Sequence, residues 1–439
     1  MKTRHFILLV LALCCLACTQ KPQDLPKDAF VRVSGPYLIE PDGDTLFIKG
    51  TNLGNWLNPE GYMFGFQKTN SAWMIDQMFK QMVGPDFTAE FWKMFKDNYV
   101  TEKDIEFIAS RGANTIRVPF HYKLFTDEDH MGLTADQDGF KRLDDVIGWC
   151  RTHGLYVILD MHDAPGGQTG DNIDDSYGYP WLLESEASQQ LFCDIWKRIA
   201  EYYRNEPVVI AYDLINEPIA PYFENVPELN AKLEPLHKRV TAAIREVDPN
   251  HIIMIGAPQW NSNFDPFTDW TYDDNMMYSC HRYGGDACVE AIGNFIAFRD
   301  KTNLPMYMGE IGHNTDEWQE AFCIAMEQSN IGYTFWPYKK IRNSCFNGIT
   351  PPENWDKVME FSEAPRTTYF EVRDVRPDQA VVRQAMLDFI EACKFDNCVP
   401  QEGYINSLSL DRYTVWRLIT WQPIAYKNRV LPFGGTRFL

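Results

Sequence analysis

Eight short, nearly continuous apolar runs recur along this chain of 439 residues, most of them followed by residues with helical spacing. The runs are Leu46–Asn52, Thr115–Val118, Leu155–Asp160, Val208–Leu214, Ile252–Ile255, Met276–Ser279, Pro305–Met308 and Tyr333–Phe335. Runs of this length without alternation suit parallel strands buried on both faces. Between them, Thr101-x-x-Asp104 reads as a capping box opening a helix that stops at Gly112. Ala187–Tyr203, Glu228–Val247, Gln319–Gln328 and Gln379–Cys393 carry apolar residues at helical intervals. Strand–helix units in series predict an α/β fold, a (β/α)8 TIM barrel running from Leu46 to about Lys394. A β-hairpin over Val31–Ile39, turning at Pro41-Asp42-Gly43-Asp44, is expected ahead of it. The excess over a minimal barrel falls in Trp56–Val100, Asp163–Tyr179 and Pro337–Pro377, enlarged loops at the C-terminal face of the strands, where barrel enzymes keep their sites.

The rest of the chain divides around that unit. Residues 1–17 carry Lys2 and Arg4 ahead of the apolar run Phe6–Ala17, too short to span a bilayer and fit for an export signal. Ala17-Cys18 resembles the cleavage site of a bacterial lipoprotein, although Cys15 stands where such signals usually carry Leu. Lipidation at Cys18 is therefore expected, with a polar tether over 18–29, and with it an extracytoplasmic protein anchored to a membrane. The barrel domain is expected over 30–395. The aromatic and basic tail, 396–439, shows no period. A net charge of −20 without a basic block argues against nucleic acid as a partner. Cys280/Cys288 and Cys393/Cys398 are close enough in sequence to pair, or else remain buried thiols. With 9 His and no repeated CxxC, no metal is expected, nor any cofactor.

The residues around the strand ends are chemically selective. They are Arg117 on the second strand, Asp160-Met161-His162 on the third and Asn216-Glu217-Pro218 on the fourth. His281 and Tyr283 follow the sixth, Gly309-Glu310 the seventh and Trp336 the eighth. Strands four and seven lie nearly opposite in a barrel of this size, so a sugar ring fits between Glu217 and Glu310. Two such carboxyls suit glycoside hydrolysis, in which one protonates the leaving oxygen and the other, in retaining enzymes, attacks the anomeric carbon. Arg117 and Tyr283 can donate to one carboxylate and keep it ionised. Asn216 is placed to bind a 2-hydroxyl, and Trp336 offers a flat floor for the ring. No strand end supplies the inward Lys that a Schiff-base aldolase requires.

Asn216-Glu217-Pro218 with Gly309-Glu310, in this eightfold order, resembles glycoside hydrolase family 5 of clan A. Asn52-Leu53-Gly54-Asn55-Trp56-Leu57 is similar to its first-strand motif, Ala113–Pro119 to its second and Val157–His162 to its third. The resemblance implies Glu217 as acid/base and Glu310 as nucleophile, with Arg117, His162, Asn216, His281, Tyr283 and Trp336 around the sugar. It also implies a β-linked oligo- or polysaccharide as partner, and a monomeric enzyme is expected. The loop Asp163–Asn172 is similar to one in the family's exo-1,3-β-glucanase branch, but it carries Asp163 in place of Gly and continues with Asp171, Asp174 and Asp175. These acids either bind sugar hydroxyls or form a solvated loop. Trp56, Tyr62, Phe64, Phe66 and Trp73 either wall a cleft or form a satellite packing cluster. The expected activity is hydrolysis of a β-glucan or β-gluco-oligosaccharide with retention. Alternatives are a β-mannanase or glycolipid-cleaving enzyme of the same family, and a non-catalytic sugar-binding lipoprotein.

Overall fold

The computed structural model describes residues 24–132 and 138–410. The expected export signal, Cys18 and the end of the tail lie outside the described residues, as does most of the expected tether. Among the described residues no helix is long and apolar enough to cross a membrane.

The chain opens with β1 (Arg32–Ser34), β2 (Tyr37–Ile39) and β3 (Thr45–Leu46) in an antiparallel meander. The expected hairpin is thus two turns, one at Gly35-Pro36 and one at 40–44, because Gly35 takes φ +57 and lets the chain reverse early. Eight strands then close a parallel barrel: β4 (Lys49–Asn52), β5 (Thr115–His121), β6 (Tyr156–Asp163), β7 (Val209–Asp213), β8 (Ile252–Gly256), β9 (Met276–His281), β10 (Met306–Gly312) and β11 (Gly332–Trp336). Helices Glu102–Ser110, Asp138–His153, Glu186–Tyr203, Val226–Arg245, Gly293–Thr302, Asp316–Gln328 and Gln379–Ala392 pack outside. The meander caps the lower end of the ring. Val31, Leu38 and Leu46 join Ile158, Ile210 and Met254 in an apolar plug separate from the main core.

Several strands run further than the apolar pattern indicated. His162, His281, Glu310 and Trp336 lie within the strands, whereas the sequence placed them just past the strand ends. Polar residues at the mouth stay in β conformation because the side chains satisfy one another there. β4 shows this most clearly: the regular strand is the polar half of the expected Leu46–Asn52 run, and all four residues are buried. Lys49 Nζ donates to Glu327 Oε1 (2.6 Å) and to the Ser409 carbonyl (2.8 Å). Thr51 Oγ1 donates to the Phe335 carbonyl (3.0 Å).

The three enlarged loops differ in kind. Trp56–Val100 is largely helical, with Ala72–Val83 capped by Ser71 and Pro85–Asn98 begun by its proline. Ile75, Met78, Phe79 and Met82 sit at i, i+3, i+4 and i+7 and are fully buried with Phe91, Trp92 and Phe95. Trp56, Phe64 and Phe66 belong to this core, so the packing reading holds for them. Pro337–Pro377 holds β12 (Lys339–Ile341), β13 (Asn347–Ile349) and two short helices. β14 (Val399–Pro400) pairs with β13, and Tyr404, on the helix Glu402–Ser407, donates to the Trp336 carbonyl (3.3 Å). The barrel unit therefore continues past residue 395, at least to Leu410. Of the two alternatives for the cysteines, free thiols hold for all eight in the described residues. Cys280 and Cys398 turn their sulfurs to the carbonyls of Tyr307 and Cys393.

The capping box carries more than a helix end. Asp104 Oδ2 accepts from Thr101 N and Oγ1, while Oδ1 takes the Lys339 ammonium (2.7 Å) and Tyr338 OH (2.8 Å). Neither partner of this ion pair has exposed side-chain surface. Asp104→Ala strands a buried ammonium and opens a helix cap, so a loss of about 3–5 kcal/mol is expected. Chemical denaturation followed by far-UV circular dichroism measures it; a loss below about 1 kcal/mol would mean that water reaches Lys339.

Candidate functional site

Arg117, on β5, points up the barrel axis and is fully buried. Its Nε donates to Asp213 Oδ2 (2.9 Å), Nη1 to Asn52 Oδ1 (3.1 Å) and Glu310 Oε1 (2.8 Å), and Nη2 to Asn216 Oδ1 (2.9 Å). Nη2 also faces Asp160 Oδ1 at 3.1 Å. Four guanidinium N–H groups thus make hydrogen bonds, and Asp160 adds its charge beside them. Burial opposes the charge, but Asp160, Asp213 and Glu310 outweigh it and hold the guanidinium firmly protonated.

Glu310, near the end of β10, accepts from Arg117 at one oxygen and from Tyr283 OH (2.6 Å) at the other. Its neighbour Gly309 is required by close approach: a Cβ there would stand 2.6 Å from Ser279 Oγ and 2.7 Å from His281 Nε2. Glu217 follows β7 with φ +43, a left-handed conformation unusual for a side chain of this size. The loop after β6 holds it there. Gln168 Nε2 donates to the carbonyls of His162 (2.7 Å) and Asn216 (2.9 Å), and Thr169 Oγ1 donates to the Glu217 carbonyl (2.7 Å). Among the described residues the Glu217 carboxylate has one hydrogen-bond partner, His281 Nδ1 (2.8 Å). Burial pushes the Glu217 carboxyl up to about 7, against the pull of Arg117.

Two histidines are fixed in orientation by amides. Asn261 Nδ2 lies 3.2 Å from His281 Nε2, which makes that nitrogen the acceptor and Nδ1 the donor toward Glu217. Asn216 Nδ2 stands in the same way at His162 Nε2 (3.2 Å), while His162 Nδ1 donates to Asp160 (2.8 Å). Burial lowers both imidazoles, His162 to about 4 and His281 to about 3. The Trp336 indole stacks on His162, with centroids 4.9 Å apart and planes 3° from parallel, and donates to Tyr62 OH (2.6 Å).

All eight side chains singled out in the sequence therefore surround one mouth. Its cavity, about 370 Å³, is lined by Glu217, Glu310, Tyr283, His162 and Trp336, together with Tyr62, Ile173, His313 and Glu60. Glu60 was not legible. Its carboxyl is buried, its Oε1 has no hydrogen-bond partner among the described residues, and it lies 3.7 Å from His162 Nε2. Burial raises it well above the carboxylate range, with Glu310 and Glu217 adding to the effect. No periodicity marks such a loop residue; only the aromatic residues around it gave a hint. Gln168 and Asn261 were missed for the same reason, whereas Asp213 lay inside the expected run Val208–Leu214 and was passed over as part of a strand.

The acidic loop is neither solvated nor wholly free for sugar. Asp174 accepts from Thr169 N (2.6 Å), and Asp175 pairs with His121 Nε2 (2.9 Å), which also meets Asp163 (3.1 Å). The ligand atoms of His121, Asp163 and Asp175 lie within 4.8 Å of one another, as do those of Glu217, His281 and Glu310. In both groups a histidine N–H fills the space an ion would take, and Lys123 adds its ammonium 3.6 Å from Asp175.

A family model described as cellulase (glycosyl hydrolase family 5) matches residues 72–340. A β-xylosidase of Phanerodontia chrysosporium is 32% identical over 260 residues, covering 58% of this chain and 52% of that protein. The match thus spans about half of that relative's length. Endoglucanase C of Acetivibrio thermocellus is 27% identical over 329 residues, covering 61% of this chain and 92% of its own. Among solved structures, endogalactoceramidase superposes with a TM-score of 0.56 at 17% identity, covering 88% of this chain and 85% of that one, a likeness of fold.

The histidine arrangement is open to direct measurement. From about pH 5 to about pH 8, nitrogen-edited NMR should show His162 and His281 as neutral Nδ1–H tautomers. His121 should keep a proton on Nε2, where Asp175 and Asp163 accept it, because its Nδ1 accepts from Lys123 N (3.1 Å). An imidazolium at His281 near neutral pH would contradict the hydrogen-bond assignment.

Proposed function

The chain belongs to glycosyl hydrolase family 5, and on that premise we propose that it is a retaining β-glycosidase acting on a β-glucan or β-gluco-oligosaccharide, with Glu310 as nucleophile and Glu217 as acid/base. The observation that carries the reading is the unequal treatment of the two carboxyls. Glu310 accepts from the Arg117 guanidinium and from Tyr283 OH, whereas Glu217 has one imidazole donor and a burial that raises its carboxyl to about 7. An oxygen of each and His281 Nδ1 all lie within 4.8 Å of one another, in keeping with the carboxyl separation of about 5–5.5 Å in retaining enzymes and short of the about 6.5–9.5 Å in inverting ones.

In the first step Glu310 attacks the anomeric carbon while Glu217 gives its proton to the leaving oxygen. In the second, Glu217 takes a proton from water, which displaces Glu310 from the sugar. Esterification of Glu310 removes a nearby negative charge and lowers the Glu217 pKa for its second role. Asn216 Nδ2, oriented through Arg117 and His162, faces the place of a 2-hydroxyl, and Trp336 carries the ring. Glu60, retaining its proton, serves a further hydroxyl as donor or acceptor. The glucan assignment draws on the endoglucanase relative, matched over nearly its whole length, and the shorter match to a β-xylosidase makes xylosides the first competitors to assay.

Glu217→Ala should slow substrates with poor leaving groups by about 10²–10⁴-fold, and azide should restore turnover with a β-glycosyl azide as product. Glu310→Ala should form no covalent intermediate with any leaving group. A fluorosugar label on the Glu217 peptide, or an α-configured first product by NMR, would refute the roles. Because the proton must be on Glu217 in the first step, kcat/KM should fall with rising pH through about 7 and lose about tenfold per unit beyond it.

The address remains a proposal of the same kind. Cys18→Ala should abolish fatty-acid labelling and membrane association in cells; a wild-type chain that is never labelled would refute lipidation.

A further inference from the structure

Beside the reaction cavity lies a second pocket of about 340 Å³, between the start of helix Ala72–Val83 and the 170–178 loop. Two aromatic rings stand at it, Trp73 and Tyr177, with centroids 6.1 Å apart and planes at 60°. Trp73 is 43% exposed and Tyr177 79% exposed, although nearly every aromatic residue in the preceding segment is buried. The two walls are built as one piece. Asp175 Oδ1 accepts from Trp73 N (2.8 Å), and Asp175 N donates to Asp163 Oδ2 (2.9 Å), so both aromatic segments are tied to the end of β6 through buried carboxylates. Ordering costs for these backbone segments are met in the free protein, which is what a preformed binding surface needs.

The pocket adjoins the reaction cavity, and one loop walls both. Ile173 lines one and its neighbours Asn172 and Asp174 line the other. Asp171, also in this lining, is close enough for its charge to raise Glu217. The next unit of a chain cleaved at Glu217 and Glu310 would meet apolar ring faces and the polar edges of Asp171 and Asn172. A sugar presents that combination of a C–H face and hydroxyl rim.

We propose that this pocket is a subsite for a further sugar unit of the substrate chain, with Trp73 and Tyr177 as its stacking faces, an assignment that rests on the glycosidase reading above. It makes the enzyme selective for chain length and not only for the bond cleaved.

The test uses the full chain, its Trp73→Ala, Trp73→Phe and Tyr177→Ala variants, an aryl monoglycoside, and β-linked gluco-, xylo- and manno-oligosaccharides of increasing length. In the wild type kcat/KM should rise with length. In Trp73→Ala it should fall about tenfold more on long chains than on the monoglycoside, and Trp73→Phe should recover most of the difference. An equal fall at all lengths would overturn the subsite. Titration by tryptophan fluorescence separates the two claims. If no chain is cleaved but affinity rises with length and that rise vanishes in Trp73→Ala, the glycosidase reading falls and the subsite stands. If wild-type affinity is independent of length, the subsite falls whatever is cleaved.

Discussion

One planar cation organises the mouth of this barrel. Arg117 reaches from β5 to side chains on β4, β6, β7 and β10 and to the turn after β7. A guanidinium can do this because its donors lie in one plane with fixed directions, which an ammonium cannot imitate. The position of each carboxylate is therefore set against the same rigid object. Glu310 is held by it directly, and Asn216 is held between it and His162. Loss of the cation would leave several buried carboxyls without a counter-charge.

The acids around that cation outnumber it. Asp160, Asp213, Glu310, Glu217 and Glu60 share one low-dielectric region with a single arginine. Burial raises Asp160 and Asp213 to about 7, even beside Arg117. The region thus limits its net charge by retaining protons, and its histidines stay neutral for the same reason. Which carboxyl remains ionised is decided by the hydrogen bonds each accepts, and those bonds differ most between Glu310 and Glu217.

What the sequence made legible follows from this division of labour. Glu217, Glu310, Arg117, His281 and Trp336 could be found because each lies near the end of a short apolar run, and strand order alone brings such ends together. The strands' true ends were less legible: β5, β6 and β10 continue through polar residues that are stable in the ladder only because partners from distant strands satisfy them. The two helices of 72–98 were written plainly in an i, i+3, i+4, i+7 pattern and were read as loop, because the segment was judged by its place between strands. Glu60, Gln168 and Asn261 had no such pattern. Gln168 is placed by the carbonyls of His162 and Asn216, Asn261 by His281, and Glu60 lies beside His162; a side chain's neighbour across a fold leaves no periodic trace. The cluster of Asp163, Asp174 and Asp175 shows the converse: its charge suggested solvent or sugar, while its atoms are mostly spent on backbone and on His121.

The buried lysine of β4 has a consequence for how the chain comes to be folded. Two of its partners, Glu327 and Ser409, stand 278 and 360 residues further along. A ribosome delivers β4 early and those partners late. Through most of synthesis the first barrel strand carries an ammonium with nowhere to be buried, so the ring has no incentive to shut around an incomplete set of strands. Completion of the sheet and arrival of the last segment become a single event.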